Sequence, residues 1–220
     1  MSDENISEEN KSAAAGITSE NSIADATKST EFDNHELPCV GIVTSDGVVI
    51  ASCNKFNGFE SISNSKVVPV TDQIVLAYTG RFDSFLCGAG LKLHADMELD
   101  DIVFNVAAKI KEFPPTSAFK ALFVSFANDE GKMYLVDDKG QTVAHTTLAV
   151  GCNTDISNVI LQTLHTPSLI LWHGICLAIE ALKLACHPCK LDACDFDMCV
   201  IDKHGYRHLQ ENEIELNLNR

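Results

Sequence analysis

The sequence predicts an α+β fold in which two antiparallel sheets pack face to face and helices cover both outer faces. Three observations carry this. Strand-like runs arrive in consecutive, turn-linked pairs, which makes neighbouring strands antiparallel. Helical stretches also arrive in pairs, one after each strand block. The order is therefore strands, two helices, strands, two helices, strand, which gives each sheet its own covering layer.

The first block opens with "CVGIVTSDGVVIASCN" (39–54), two strands around a turn at Ser45-Asp46-Gly47. Asp-Gly between β-branched runs is a strong hairpin signal. "KVVPV" (66–70) and "QIVLAYTG" (73–80) repeat the pattern around Thr71-Asp72. Helical stretches follow at about 82–95 and 99–112. Asp100 and Asp101 open the second, where the helix dipole favours acids. Its apolar residues Ile102, Val103, Val106, Ala107 and Ile110 fall at helical spacing, and Pro114-Pro115 ends it. The second block holds 118–128, 132–138 and 142–151, with turns at Asp129-Glu130-Gly131 and Asp138-Lys139-Gly140. Helices return at about 153–164 and 168–186. A last strand, 197–202, turns at Lys203-His204-Gly205 into "YRHL" and a short acidic helix. Phe104, Phe113, Phe119, Phe123 and Phe126 read as core residues.

The chain has 220 residues, 45% of them hydrophobic, enough for a sizeable core. Its formal charge of −15 argues against nucleic acid and anionic lipid as partners, because both would repel it. Residues 1–36 hold nine acids against Lys11 and Lys28 and few large apolar groups, so this segment is expected to be a mobile acidic tail. Residues 37–220 are expected to form a single domain. The acidic N-terminus lacks the basic patch and apolar run of a secretory signal. The longest apolar stretch, 168–186, contains His173, Gly174, Glu180 and Lys183, which suits a buried helix better than a membrane span. Nine cysteines without a signal point to a reducing compartment and free thiols.

Several segments in order resemble the subunits of the proteasome core particle. "PCVGIVTSDGVVIAS" is similar to that family's Thr-Ala-(Ile/Val)-Gly-Ile followed by Asp-Gly-Val-Val-Leu-Ala. "SKVVPVTDQIVLAYTG", "ALFVSFANDEGKMYLVDDKGQ" and "TTLAVG" resemble further family segments, and "DMCVIDKHGYRHLQENEIELNL" resembles the α-type ending. The resemblance covers about residues 17–216 and implies a four-layer αββα sandwich of the N-terminal-nucleophile hydrolase type. It implies no cofactor. It implies other α-type and β-type subunits as partners in stacked seven-membered rings, with activator tails and unfolded polypeptide passing the pore as further contacts. The setting it implies is ubiquitin-dependent protein degradation in cytoplasm and nucleus.

The family's catalytic members use an N-terminal threonine whose own amine is the base, aided by an acid and a lysine. By the family's spacing the nucleophile position falls at Leu37, the acid position at Cys53 and the lysine at Lys66. Leucine supplies no nucleophile, so the resemblance implies a non-catalytic subunit. "ITSENSI" (17–23) sits where α subunits carry the segment leading into an N-terminal helix that closes the cleft. Ile17, Glu20 and Ile23 fit that pattern, and Lys28 stands in place of a tyrosine. In α subunits the lysine matching Lys66 binds the C-terminal carboxylate of an activator tail, a pairing that suits an ammonium in a groove. The plainer reading of Lys66 is a solvated side chain at a strand start.

The reading is thus a non-catalytic α-type subunit, with an inactive β-type subunit as the alternative. A third reading, of another class, is a small metal-binding protein centred on Cys186, Cys189, Cys194 and Cys199, whose Cys-x-x-Cys start suits zinc. In the family register, however, Cys199 lies inside a core strand, where a thiol packs as a small hydrophobe. His145, His165 and His173 are scattered without a matching acid and nucleophile. Asp137-Asp138 is read as capping a turn.

Overall fold

A computed structural model describes residues 36–56, 59–60, 65–82, 85 and 97–218. It contains two five-stranded antiparallel sheets. Strands β1 (Cys39–Val43), β2 (Val48–Cys53), β10 (Thr147–Val150), β11 (Phe196–Asp202) and β12 (Gly205–His208) form one, in the order β10-β1-β2-β11-β12. The other runs β5 (Val67–Thr71), β6 (Ile74–Gly80), β7 (Phe119–Ala127), β8 (Glu130–Asp137) and β9 (Thr142–Ala144). Two short strands, β3 (Lys55–Phe56) and β4 (Phe59–Glu60), pair with each other. Among the described residues the α-helices are α1 (Leu99–Glu112), α2 (Asp155–Leu164), α3 (Leu171–Cys186) and α4 (Glu211–Leu218).

Side-chain alternation along the strands builds the layers. From β2, Val48 and Ile50 face the second sheet, meeting Val75, Ala77, Leu122, Val124 and Met133. Their neighbours Val49 and Ala51 face the other way, against Ile175, Ala178 and Leu182 of α3 and Leu161 of α2. A strand buried on both faces needs no polar alternation, which is why "VVIASC" is nearly all apolar or small. On the far side of the second sheet, Leu76, Tyr78, Ala121 and Phe123 pack against Ile102, Val106 and Ile110 of α1. The order of layers is helix, sheet, sheet, helix, the αββα sandwich expected. Pro69, which has no N–H to donate, lies in β5, an edge strand with a register shift between Pro69 and Thr71.

Several expectations change. The run 142–151 is two strands: β9 pairs with β8, and β10 pairs with β1 in the other sheet. The chain crosses at His145-Thr146, whose backbone groups bond to each side (His145 N to Met133 O, Val43 N to Thr146 O). Phe104 and Phe113 are 74% and 51% exposed, because the inward stripe of α1 runs through 99, 102, 103, 106, 107 and 110. Phe119, Phe123 and Phe126 are buried as expected. Helix α3 begins at Leu171 rather than 168; the Asp46 carboxylate accepts from the Leu171 N–H at 2.7 Å and fixes that start. The turn after β5 moves one residue, to Asp72-Gln73. Of the helix expected over 82–95, only Phe82 and Phe85 are described; both join the α1 core. No described helix is long and apolar enough to cross a membrane.

The start of α4 is tied by Glu213. Its carboxylate accepts from the Gln210 N–H at 2.9 Å, and both of its oxygens accept from Arg207 Nη1, at 2.9 and 3.1 Å. The Gln210 N–H first, and then Arg207, hold its pKa below the ordinary carboxylate value. A depressed folded-state pKa contributes stability that is complete above the unfolded value of about 4.3. That contribution is lost as pH falls through the lowered value. Glu213→Gln is therefore expected to flatten the acid limb of the stability profile below about pH 4.3, read from urea midpoints across pH. An acid limb as steep as that of the unsubstituted chain would refute this.

Candidate functional site

The three positions singled out by spacing meet at one end of the sandwich. Leu37 lies two residues before β1, Cys53 ends β2, and Lys66 immediately precedes β5. The register Cys39↔Ser52 brings the ends of β1 and β2 together, and two bonds between the sheets, Cys39 Sγ to Tyr78 O and Val67 N to an Asp197 carboxylate oxygen, put Lys66 at the same end. Leu37 and Cys53 pack in one cluster with Cys186, lined further by Cys152, Cys189 and Leu191. Leu37 is only 5% exposed. Its backbone is held from the other side: Cys152 N donates to Glu36 O at 3.0 Å, and a Cβ on Gly151 would come within 2.7 Å of Leu37 O. Residue 37 is thus an interior link of the chain with an aliphatic side chain, where a hydrolase of this fold needs a free amine and a hydroxyl.

Lys66 is 2% exposed, and its Nζ lies 4.7 Å from the centroid of the Tyr78 ring. It is therefore not a solvated lysine at a strand start. Among the described residues its ammonium rests on an aromatic face rather than on a carboxylate, the geometry of a cation–π contact. Asp197 fixes the chain beside it, accepting from the Val67 N–H at 3.2 Å and from the Ser65 hydroxyl. Cys39 lies between Lys66 and Leu37. Its thiol donates to Tyr78 O at 3.3 Å and contacts Ser52 Oγ at 3.5 Å. Burial pushes the Cys39 thiol up to about 12, against the opposing pull of Ser52 and the Lys66 ammonium. A hollow of about 180 Å³ opens beside this end, lined by Glu36, Thr79, Gly80, Phe119, Lys120 and Gly151, among others.

The cysteine run does not gather. Cys186 ends α3, Cys189 follows in the loop, Cys194 is exposed in a short 3₁₀ turn, and Cys199 packs between the sheets. Among the described residues no three His, Cys, Asp or Glu side chains are grouped to hold a metal ion. What sequence reasoning missed is that Cys186 meets Cys53, with the two sulfurs 3.0 Å apart. The residues are separated by 133 positions, and no local pattern signals such a pair. His145 and His165 share a shallow hollow with Thr146, Thr147 and Gln162, and no carboxylate lines it among the described residues. His165 Nε2 is bonded to Val43 O at 2.8 Å, and burial lowers the pKa of His145. Asp137 caps its turn, its Oδ1 accepting from the N–H groups of Lys139 and Gln141. Ile17, Glu20, Ile23 and Lys28 lie outside the described residues.

Two antiparallel sheets between helical layers, with the family's three site positions converging at one end, define an αββα sandwich of the N-terminal-nucleophile hydrolase kind. No family model matches the chain. Curated relatives do. Proteasome subunit beta 2 of Pyrobaculum calidifontis is 29% identical over 193 residues, covering 80% of this chain and 93% of its own. Proteasome subunit beta 2 of Pyrobaculum aerophilum is 26% identical over 193 residues, covering 81% and 94%. Proteasome subunit alpha type-2 of Drosophila melanogaster is 25% identical over 195 residues, covering 81% and 83%. Over about four fifths of its length the chain is thus similar to proteasome subunits of both β and α type.

Proposed function

We propose that this chain is a non-catalytic α-type subunit of a proteasome core particle, assembled with other α-type and β-type subunits in stacked rings. The observation that carries the non-catalytic reading is the nucleophile position itself: Leu37 is aliphatic, buried and in mid-chain, and the acid position holds Cys53. Neither side chain can supply an alkoxide or a carboxylate. The α assignment is supported by the C-terminal "YRHLQENEIEL" and by the acidic segment that precedes residue 37. An inactive β-type subunit is the second reading, favoured by the β-type names of the archaeal relatives. On the α reading, Ile17, Glu20, Ile23 and Lys28 belong to the gate segment. Lys66 is then the contact for an activator's C-terminal carboxylate, which must reach in beside Tyr78.

The experiment is native mass spectrometry of the protein purified from its own cells, followed by cross-linking within the particle. Recovery in a stacked-ring particle, with cross-links in an outer ring, is the expected result. Cross-links confined to an inner ring would establish the β reading, and a free monomer would overturn both. In the same particle, Lys66→Met is expected to weaken binding of a peptide carrying an activator's C-terminus by about tenfold or more, the value of a charge-assisted hydrogen bond. Unchanged binding would remove Lys66 from that role.

A further inference from the structure

We propose that Cys53 and Cys186 form a reversible dithiol–disulfide couple that staples β2 to the C-terminal end of α3. Two observations carry it. The sulfurs stand 3.0 Å apart across 133 residues of sequence, so closing the bond to ~2.05 Å requires a shift of about 1 Å. And the pair is not isolated: two more thiols, Cys152 and Cys189, pack against it. The inference stands whether or not the chain sits in a ring.

The surroundings dictate how the couple works. Both sulfurs are withdrawn from solvent, at 0% exposure. The contact with Cys186, together with burial, pushes the Cys53 thiol well above its ordinary range. In the reduced state the pair is therefore a neutral S–H···S contact that does not itself attack an external oxidant. Cys189 is half-buried and lies one turn beyond Cys186, its N–H bonded to Cys186 O at 2.9 Å. Oxidation enters there. The Cys189 thiolate attacks a low-molecular-weight disulfide and expels one thiol. Cys186 then displaces the second thiol, forming a Cys186–Cys189 bond. Cys53 attacks the Cys186 sulfur, and Cys189 leaves as a thiol. Two protons and two electrons pass from Cys53 and Cys186 to the oxidant, which ends as two thiols. Cys189 is regenerated, and the final bond lies where no reductant reaches it except by the same relay.

The test uses the full unsubstituted chain incubated with oxidised glutathione, quenched with acid and alkylated under denaturing conditions. A non-reduced peptide map by mass spectrometry then reads which thiols are joined. The expected product links the Cys53 and Cys186 peptides and is reversed by dithiothreitol. It is expected to raise the melting temperature by on the order of 10 °C, because it closes a long loop. Recovery of Cys53 and Cys186 as alkylated thiols, or of Cys186 joined to Cys189 as the final product, would overturn the proposal. Cys189→Ala is expected to slow formation about tenfold while leaving the product the same. An unchanged rate would overturn the relay.

Discussion

Replacing Gly80 with alanine is expected to cost about 3 kcal/mol of folding stability, and to lower the melting temperature by about 10 °C. Two effects add. Gly80 ends β6 with φ +82, a left-handed conformation in which a Cβ clashes with the following carbonyl. The space is also occupied: an added Cβ would lie 2.7 Å from the Phe119 Cα and closer still to the Ala118 carbonyl oxygen. Both are backbone atoms, of Phe119, which pairs with Gly80 in register, and of the residue just before it, so neither can swing aside. Relief would require β6 and β7 to separate at the edge where Leu37, Cys53 and Lys66 converge. Urea unfolding of the variant checks this, and a loss below about 1 kcal/mol would show that the strand ends yield more readily than close packing allows.

The second large effect is expected at Phe123. Its side chain is fully buried between the second sheet and α1, edge-on to Phe82 with ring centroids 6.0 Å apart. Phe123→Ala removes that packing and leaves a cavity the surrounding strands cannot fill, at a cost of about 3–5 kcal/mol. Phe104 supplies the contrast within the same helical layer. It is 74% exposed, so Phe104→Ser should change the stability of the isolated chain by no more than about 0.5 kcal/mol. Comparable losses for the two variants, measured in parallel by denaturant titration, would mean that Phe104 is covered in solution.

How much could be read in the sequence depended on whether the signal was local. The hairpin of β1 and β2 announced itself by Asp46-Gly47 between apolar runs, and α1 by acids at its start and apolar residues at helical spacing. The same spacing also puts Phe104 outside, yet its aromatic character suggested core; period is the better guide than residue type. The break between β9 and β10 left no mark, because a strand that changes sheets at His145-Thr146 needs neither glycine nor proline to do so. At the site, residues 37, 53 and 66 could be located only through the spacing of the family that the chain resembles, counted from the Asp46-Gly47 turn. The burial of Lys66 could not, since lysine as a type belongs to the surface and only its neighbours withdraw it. Cys186 was visible as a helix end but not as the neighbour of Cys53, a relation that exists only once both sheets and α3 are assembled.

The strand order of the first sheet also sets a schedule for making the protein. Its earliest hairpin, β1 with β2, lies between β10 and β11, which come roughly a hundred or more residues later in the chain. As synthesis proceeds, that hairpin emerges with both of its edges unpaired and both of its faces apolar, and it stays so until residues 147–202 follow. Pairings of such high sequence separation form slowly, and bare strand edges invite association with other chains. The half-made protein therefore carries its greatest hazard in the strands that later become its most protected, and an attendant that shields the nascent hairpin would act at that stage.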